Sequence, residues 1–313
     1  MNAARPSGLL RIATRKSQLA LWQAEHVAAL MRRAHPGIEV ELLPLSTKGD
    51  RIQDRSLAAI GGKGLFIKEL ETALEDRRAD LAVHSMKDVP GELPGGMVIA
   101  AVLARVDARD ALIAAGGRRF EELTRGARLG TSSLRRQAQL LAVRPDLAIE
   151  TLRGNVDSRL KRLDAGELDA IILACAGLIR LGLESRITAR LDPKISLPAV
   201  GQGVIGIECR ADDGASREIL ASLNDEPTRI AIEAERAFAR RLGGSCQSPI
   251  AAHARLKGDR LTLEGLVAEP DGSRVWRDTL SGSAADPRDL GNALAERVLT
   301  AGAAALLERL RSA

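Results

Sequence analysis

From residue 10 to about residue 181 the chain alternates short apolar runs with amphipathic stretches of helical period. Leu10–Ala13 is followed by a helical pattern over Ser17–Arg33 that ends before Pro36-Gly37, and Glu39–Ser46 alternates like a strand. A second helical pattern covers Leu65–Arg77, and Leu81–His84, Val98–Leu103 and Ala111–Ala114 read as strands. Arg128–Gly130 then leads into a helix at Ser133–Leu141, Ile149–Leu152 into Val156–Leu163, and Ala170–Ala174 into Ala176–Leu181. Strands this short and this apolar need cover on both faces, so the rhythm predicts an α/β fold with mostly parallel sheets. After Pro198 the texture changes. A strand at Val204–Cys209 and helices at Arg217–Leu223 and Pro227–Arg241 precede the turn Gly243-Gly244-Ser245-Cys246. Three strands follow, Ile250–Leu256, Leu261–Ala268 and Arg274–Leu280, joined by Lys257-Gly258-Asp259 and Pro270-Asp271-Gly272. Those turn residues predict an antiparallel meander, closed by a helix over about Leu290–Arg311, which makes a small α+β domain.

At 313 residues the chain has material for two or three domains. No stretch approaches about 20 apolar residues, so no membrane span is expected, and the first twenty residues lack the pattern of a secretory signal. Cys175, Cys209 and Cys246 form an odd set without CxxC spacing, which excludes a disulfide framework and a cysteine-built zinc site. The 4 histidines are too dispersed for a metal triad. A cytoplasmic protein without a metal is expected. The net charge of +5 rests on 46 basic residues, of which 46 − 8 lysines = 38 are arginine. A GC-rich genome would give that bias by itself, so position has to decide what the arginines do. With no tyrosine, 3 Phe and 2 Trp, stacking platforms for bases are scarce, and no basic tail is present. No nucleic-acid partner is expected.

Position is informative. Arg15 and Ser17 follow the first strand, and Thr131-Ser132-Ser133-Leu134-Arg135-Arg136 follows another and opens a helix, where free N–H groups favour an anion. Arg153 and Arg180 repeat the placement. Any one of these could be a capping or solvated arginine; together they suggest a cleft for a ligand with several carboxylates, at the strand ends where open sheets bind ligands. Asp88, in His84-Ser85-Met86-Lys87-Asp88, has two readings: a carboxylate that stabilises positive charge or relays a proton, or the N-cap of a short helix. Gly61-Gly62-Lys63-Gly64 lacks phosphate-loop spacing and reads as a mobile loop. Gly201-Gln202-Gly203 precedes a strand, so it is not a dinucleotide fingerprint. Cys175 and Cys209 read as buried thiols. Cys246, on its glycine turn near Arg240 and Arg241, is either a presented, activated thiol or a chance loop cysteine.

Seven segments, in order, resemble the porphobilinogen deaminase (hydroxymethylbilane synthase) family: Leu10–Arg15, Gly61–Phe66, His84–Pro90, Gly130–Gln137, Leu152–Val156, Leu197–Gly203 and the Cys246 turn. The resemblance implies two lobes like those of periplasmic binding proteins, residues 1–104 with 200–223 and residues 105–199, and a third domain at 224–313. It implies a dipyrromethane cofactor on Cys246 through a thioether. Four porphobilinogen molecules are added to it with loss of ammonia, and hydrolysis releases hydroxymethylbilane from the growing polypyrrole chain. By motif, Asp88 is the catalytic carboxylate; Lys87, Ser85, Thr131, Ser133, Arg135, Arg136 and Arg153 contact the cofactor. Arg15, Ser17, Arg159, Arg180, Lys63, Phe66 and Gln202 contact substrate, and the enzyme acts as a monomer. Ser245, Ala59 and Lys48 depart from the family pattern, in which glycine, lysine and arginine are usual. Two other readings stay distinguishable: a binding module for an anion, which gives Cys246 and Asp88 no task, and a DNA-binding protein, whose affinity would fall steeply with salt.

Overall fold

The computed structural model describes residues 8–51, 65–244 and 248–312. Strands β1 (Leu9–Arg15), β2 (Glu39–Leu45), β3 (Leu81–Ser85) and β4 (Met97–Val102) come first. They are followed by β5 (Asp110–Ala114), β6 (Arg128–Gly130), β7 (Ala148–Glu150), β8 (Ala170–Ala174) and β9 (Ala189–Arg190). Strand β10 (Ile205–Arg210) then precedes the meander β11 (Ile250–Lys257), β12 (Arg260–Ala268) and β13 (Val275–Ser283).

The first sheet has the order β2-β1-β3-β10-β4 and the second β7-β6-β8-β5-β9. In each, four strands share one direction and a fifth is inserted antiparallel, β10 between β3 and β4 and β5 between β8 and β9. The expected parallel character therefore holds with one reversed strand per sheet. A chain reading cannot foresee that reversal, because pairing order is not local. Strands β8 and β5 are apolar on both faces: Ile172 and Leu112 join one core with Leu129, Leu140 and Phe120, while Ile171 and Ile113 join another with Leu152, Leu160 and Leu178. The first sheet is covered likewise, by helix Gln18–Ala34 through Ala24, Val27 and Met31 on one face and by helix Lys68–Glu75 through Leu70 and Leu74 on the other.

The three-stranded sheet β11-β12-β13 is antiparallel and packs on helices Glu226–Arg241 and Pro287–Val298 around Phe238, Leu263 and Leu294. The closing helix is broken rather than continuous. The Trp276 indole N–H takes the carbonyl of Ala301 at 3.0 Å, and Gly302 turns at φ 116° before helix Ala304–Ser312 begins. A carbonyl drawn sideways and a left-handed glycine both interrupt the helical ladder. Two linkers join the lobes, near residues 103–109 and 197–204. They meet where Val106 N–H donates to the Gly203 carbonyl at 3.2 Å. Gly203 has φ +87° there, and a Cβ would stand 2.6 Å from the Val106 carbonyl oxygen, so only glycine fits this crossing.

Candidate functional site

Strand β3 is buried along Leu81–His84 and ends in a tight turn over Met86–Asp88. Met86 anchors that turn. Its N–H donates to the Val204 carbonyl at 3.0 Å, and its side chain fills the space beside Gly201 and Gly206, where a Cβ would come within 2.8 and 2.1 Å of it. Ser85 occupies the cap position, and its hydroxyl exchanges hydrogen bonds with the Gln23 amide at 2.9 and 3.2 Å. Asp88 ends the turn instead of capping it, which removes the N-cap reading, and its side chain stays 31% exposed.

Cations converge on this carboxylate from both lobes. Arg15 Nη1 lies 3.9 Å from Asp88 Oδ2. The same guanidinium grips Asp50 with two donors, Nε at 3.1 Å and Nη2, and stacks on the Phe66 ring 4.4 Å from its centroid. Enclosure works against its charge, but Asp50 and Asp88 outweigh that and hold the Arg15 guanidinium above its ordinary value. Lys87 is pushed down to about 8, first by desolvation; Asp88 resists the shift, and Arg136 and Arg135 of the second lobe add to it. Arg159 is pushed down to about 10 by burial and by the neighbouring Arg136 and Arg153, with Asp88 again opposing. One carboxylate thus serves several crowded cations, a field suited to polyanionic ligands. A cavity beside it is lined by Lys87, Ser133, Arg135 and Arg236, and by Gly244 and Ser248 on either side of the cysteine turn.

A family model described as porphobilinogen deaminase, dipyromethane cofactor binding domain, matches residues 10–218, and one described as porphobilinogen deaminase, C-terminal domain, matches residues 229–300. The chain belongs to the porphobilinogen deaminase family. It is 52% identical over 304 residues to the porphobilinogen deaminase of Syntrophotalea carbinolica, covering 97% of this chain and 96% of that one. Solved structures with a distant likeness include the periplasmic VFT2 domain of Bordetella pertussis BvgS, at 15% identity and TM-score 0.41, covering 68% of this chain and 85% of that one. Another is the periplasmic aliphatic sulphonate binding protein SsuA of Escherichia coli, at 12% identity and TM-score 0.38, covering 74% of this chain and 70% of that one.

In this chain the two most suggestive arginines have an internal partner. Asp110, at the start of β5 and fully buried, accepts from Arg135 Nη2 at 2.8 Å and from Arg136 Nη2 and Nε at 2.7 and 3.0 Å. Ser196 Oγ at 2.7 Å and Gln202 Nε2 at 3.0 Å complete its shell. Burial alone would raise the Asp110 carboxyl; the two guanidiniums overcome it and hold the group far below the usual carboxylate range. Further donors of Arg135 and Arg136 reach the carbonyls of Leu197 and Ile172. Gln202 also donates to the Ala108 carbonyl at 2.6 Å, so it ties the two linkers together. Asp110 was not anticipated, although a charge heading the apolar run Ala111–Ala114 is the signal that could have marked it.

Other expected contacts are distributed. Ser133 caps helix Leu134–Val143 and accepts the Arg136 N–H at 3.4 Å; Thr131 accepts the Ser133 N–H at 3.2 Å. Ser17 caps helix Gln18–Ala34. Arg159 Nε donates to the Gly154 carbonyl at 2.9 Å, beside Arg153. Arg180 is buried at the linker crossing and donates to the Gly203 carbonyl at 2.9 Å, with burial pushing it down to about 10. Arg236 was also missed; it holds the carbonyls of Val89, Pro90 and Gly91 at 3.4, 2.9 and 3.1 Å, immediately after Asp88. Arg241, close to the cysteine in sequence, pairs with Glu296. Cys246, Ser245, Lys63, Ala59 and the loop Gly61–Gly64 lie outside the described residues. Cys175 and Cys209 are buried thiols pushed up to about 12 and about 11 by desolvation, consistent with inert packing. Among the described residues the cavity lining offers cations and hydroxyls and no carboxylate, a donor set that fits the acidic side chains of a dipyrromethane.

Proposed function

We propose that Asp88 carries the chemistry of this tetrapyrrole-building transferase, in which four porphobilinogen molecules are joined head to tail. In each addition the aminomethyl C–N bond of porphobilinogen breaks and ammonia leaves. A C–C bond forms to a pyrrole α-carbon, and that carbon gives up its proton. A dipyrromethane bound through Cys246 supplies the first such α-carbon. Asp88 faces the position where positive charge develops as ammonia leaves, and its carboxylate stabilises that charge and takes the proton from the attacked ring. Arg15 orients Asp88, being fixed itself by Asp50 and by the Phe66 ring. Lys87, Arg153 and Arg159 bind acetate and propionate groups, while Arg135, Ser133 and Thr131 meet the dipyrromethane from the second lobe. Ser85, Ser17, Arg136, Arg180 and Gln202 hold these elements in place. Lys63 and Phe66 are the further substrate contacts in this reading.

The observation that carries this reading is the half-exposed Asp88 set among cations of both lobes, next to a cavity bordered by Gly244 and Ser248. The division into residues 1–104 with 200–223, 105–199 and 224–313 goes with it, supported by the return of β10 to the first sheet. So do a monomer and a cytoplasmic location, the latter supported by two buried free thiols among the described residues; no helix among them is long and apolar enough to cross a membrane.

Intact-mass spectrometry with peptide mapping tests it. The expected result is a dipyrromethane mass on the Cys246 peptide, together with ammonia release from porphobilinogen. A chain that stays unmodified after incubation with porphobilinogen, and binds it without releasing ammonia, would be a binding module and would overturn the reading.

A further inference from the structure

Helix Glu226–Arg241 runs from the linker crossing to Gly243-Gly244, the residues just before the cysteine turn. Glu235 on this helix is fully buried. Its Oε2 accepts the Gly201 N–H of the second linker at 2.8 Å, and its Oε1 accepts the Ala254 N–H of β11 at 2.8 Å. Arg105 Nη2, from the first linker, lies 2.8 Å from the same Oε1. One carboxylate therefore holds both linkers and the third sheet. The adjacent Arg236 grips the carbonyls that follow Asp88. Arg240, one turn on, packs so closely that a Cβ on Gly91 would come within 2.8 Å of its Cγ.

His253 joins this arrangement. Arg105 Nη1 lies 3.0 Å from His253 Nδ1. A guanidinium can only donate, so Nδ1 accepts and the ring is neutral with its hydrogen on Nε2. Protonation would put an N–H against the Arg105 cation. The alternative partner is Glu235 Oε1, 3.7 Å away. The other charged groups around this ring are Asp107 and Arg109, which line the same hinge cavity, and Glu264, its cross-strand neighbour, held by Arg277 at 2.7 Å.

We infer that Glu235 is a positioning residue for the condensation, setting the reach between Asp88 and Gly244, and that His253 makes this tie proton-sensitive. The inference rests on the reading of Asp88 and Cys246 above. When His253 is neutral, Arg105 bridges it to Glu235 and both linkers are fixed. When it is charged, Arg105 is repelled and Glu235 is shared, so the helix that ends before Gly243-Gly244 loosens from the linkers.

The test uses the full-length, cofactor-loaded enzyme, with loading checked first by intact mass; failure of the wild-type chain to load would sink the underlying reading, not this one. Glu235→Gln keeps the shape and both acceptor positions are reduced to one. Its kcat is expected to fall on the order of ten-fold to a hundred-fold with KM changed less than about three-fold, as for a reacting group held off line. Loaded Glu235→Gln with wild-type kcat would overturn the positioning role. His253→Asn keeps an acceptor for Arg105 and cannot take a proton. The ratio of its kcat at about pH 6 to that at about pH 8 is expected to exceed the wild-type ratio several-fold. A purely structural residue would leave that ratio alone, and an unchanged ratio would overturn the proton sensitivity. Should Glu235→Gln fail to fold, the His253→Asn ratio decides.

Discussion

The two lobes share one sheet plan, four strands one way and one reversed, yet they treat a carboxylate at a strand end in opposite ways. The first lobe leaves Asp88 half-exposed, with Arg15 at 3.9 Å and cations of both lobes around it. The second encloses Asp110 completely and closes it with two arginines, a serine and an amide. Identical chemistry is left accessible in one place, where the proposed reaction needs it, and becomes a rivet in the other. Solvent access and the number of fixed donors make the difference: a carboxylate with its lone pairs filled has nothing left for a substrate.

Removing each carboxylate breaks the comparison most directly. Asp88→Asn is expected to lower turnover by roughly 10²–10⁴-fold while leaving the thermal midpoint close to wild type, measured as ammonia release on loaded enzyme beside calorimetry. Turnover within about ten-fold of wild type would remove the contrast. Asp110→Asn leaves two buried guanidiniums without their counter-charge and is expected to destabilise by about 3–5 kcal/mol, a fall in Tm on the order of 10 °C. A variant as stable as wild type in denaturant titration would show that Asp110 is no rivet.

A third carboxylate sharpens the contrast. Glu71 of helix Lys68–Glu75 is buried, beside Glu208, which itself bonds His84 at 2.7 Å. No arginine is paired with it among the described residues, so burial and then Glu208 push it up to about 7. The folded chain keeps a proton that the unfolded chain releases near the ordinary glutamate range. Stability is therefore full at lower pH and declines as pH rises toward about 7. Glu71→Gln should flatten that decline and make the protein more stable by about 2 kcal/mol at pH 8, read from denaturant midpoints across pH. A parallel decline in wild type and variant would put the proton elsewhere.

Much of this was legible in the chain. Strands Arg128–Gly130 and Ala170–Ala174 were found to the residue, since apolar runs bounded by turn residues are local signals. The Asp88 turn was found because a charged cluster directly after a buried strand is unusual. What stayed hidden was pairwise. Asp110 and Arg136 are 26 residues apart in sequence, and Glu235 and Arg105 are far apart too. Nothing in either neighbourhood announces the other. Arg135 and Arg136 read as ligand contacts because helix starts favour anions; that both also donate to the protein's own Asp110 is a pairing no local pattern announces. The break at Gly302 was missed because it depends on Trp276, which lies on a different strand.

The position of β10 between β3 and β4 bears on how the chain comes together during synthesis. Strands β3 and β4 have no ladder with each other; each pairs with β10. About 100 residues separate the end of β4 from the start of β10, and they contain the whole second sheet. A growing chain can finish that second lobe while the first still has an open slot between two strands. The lobe that begins first is thus completed later, and its unpaired edges wait for a strand the ribosome has yet to deliver.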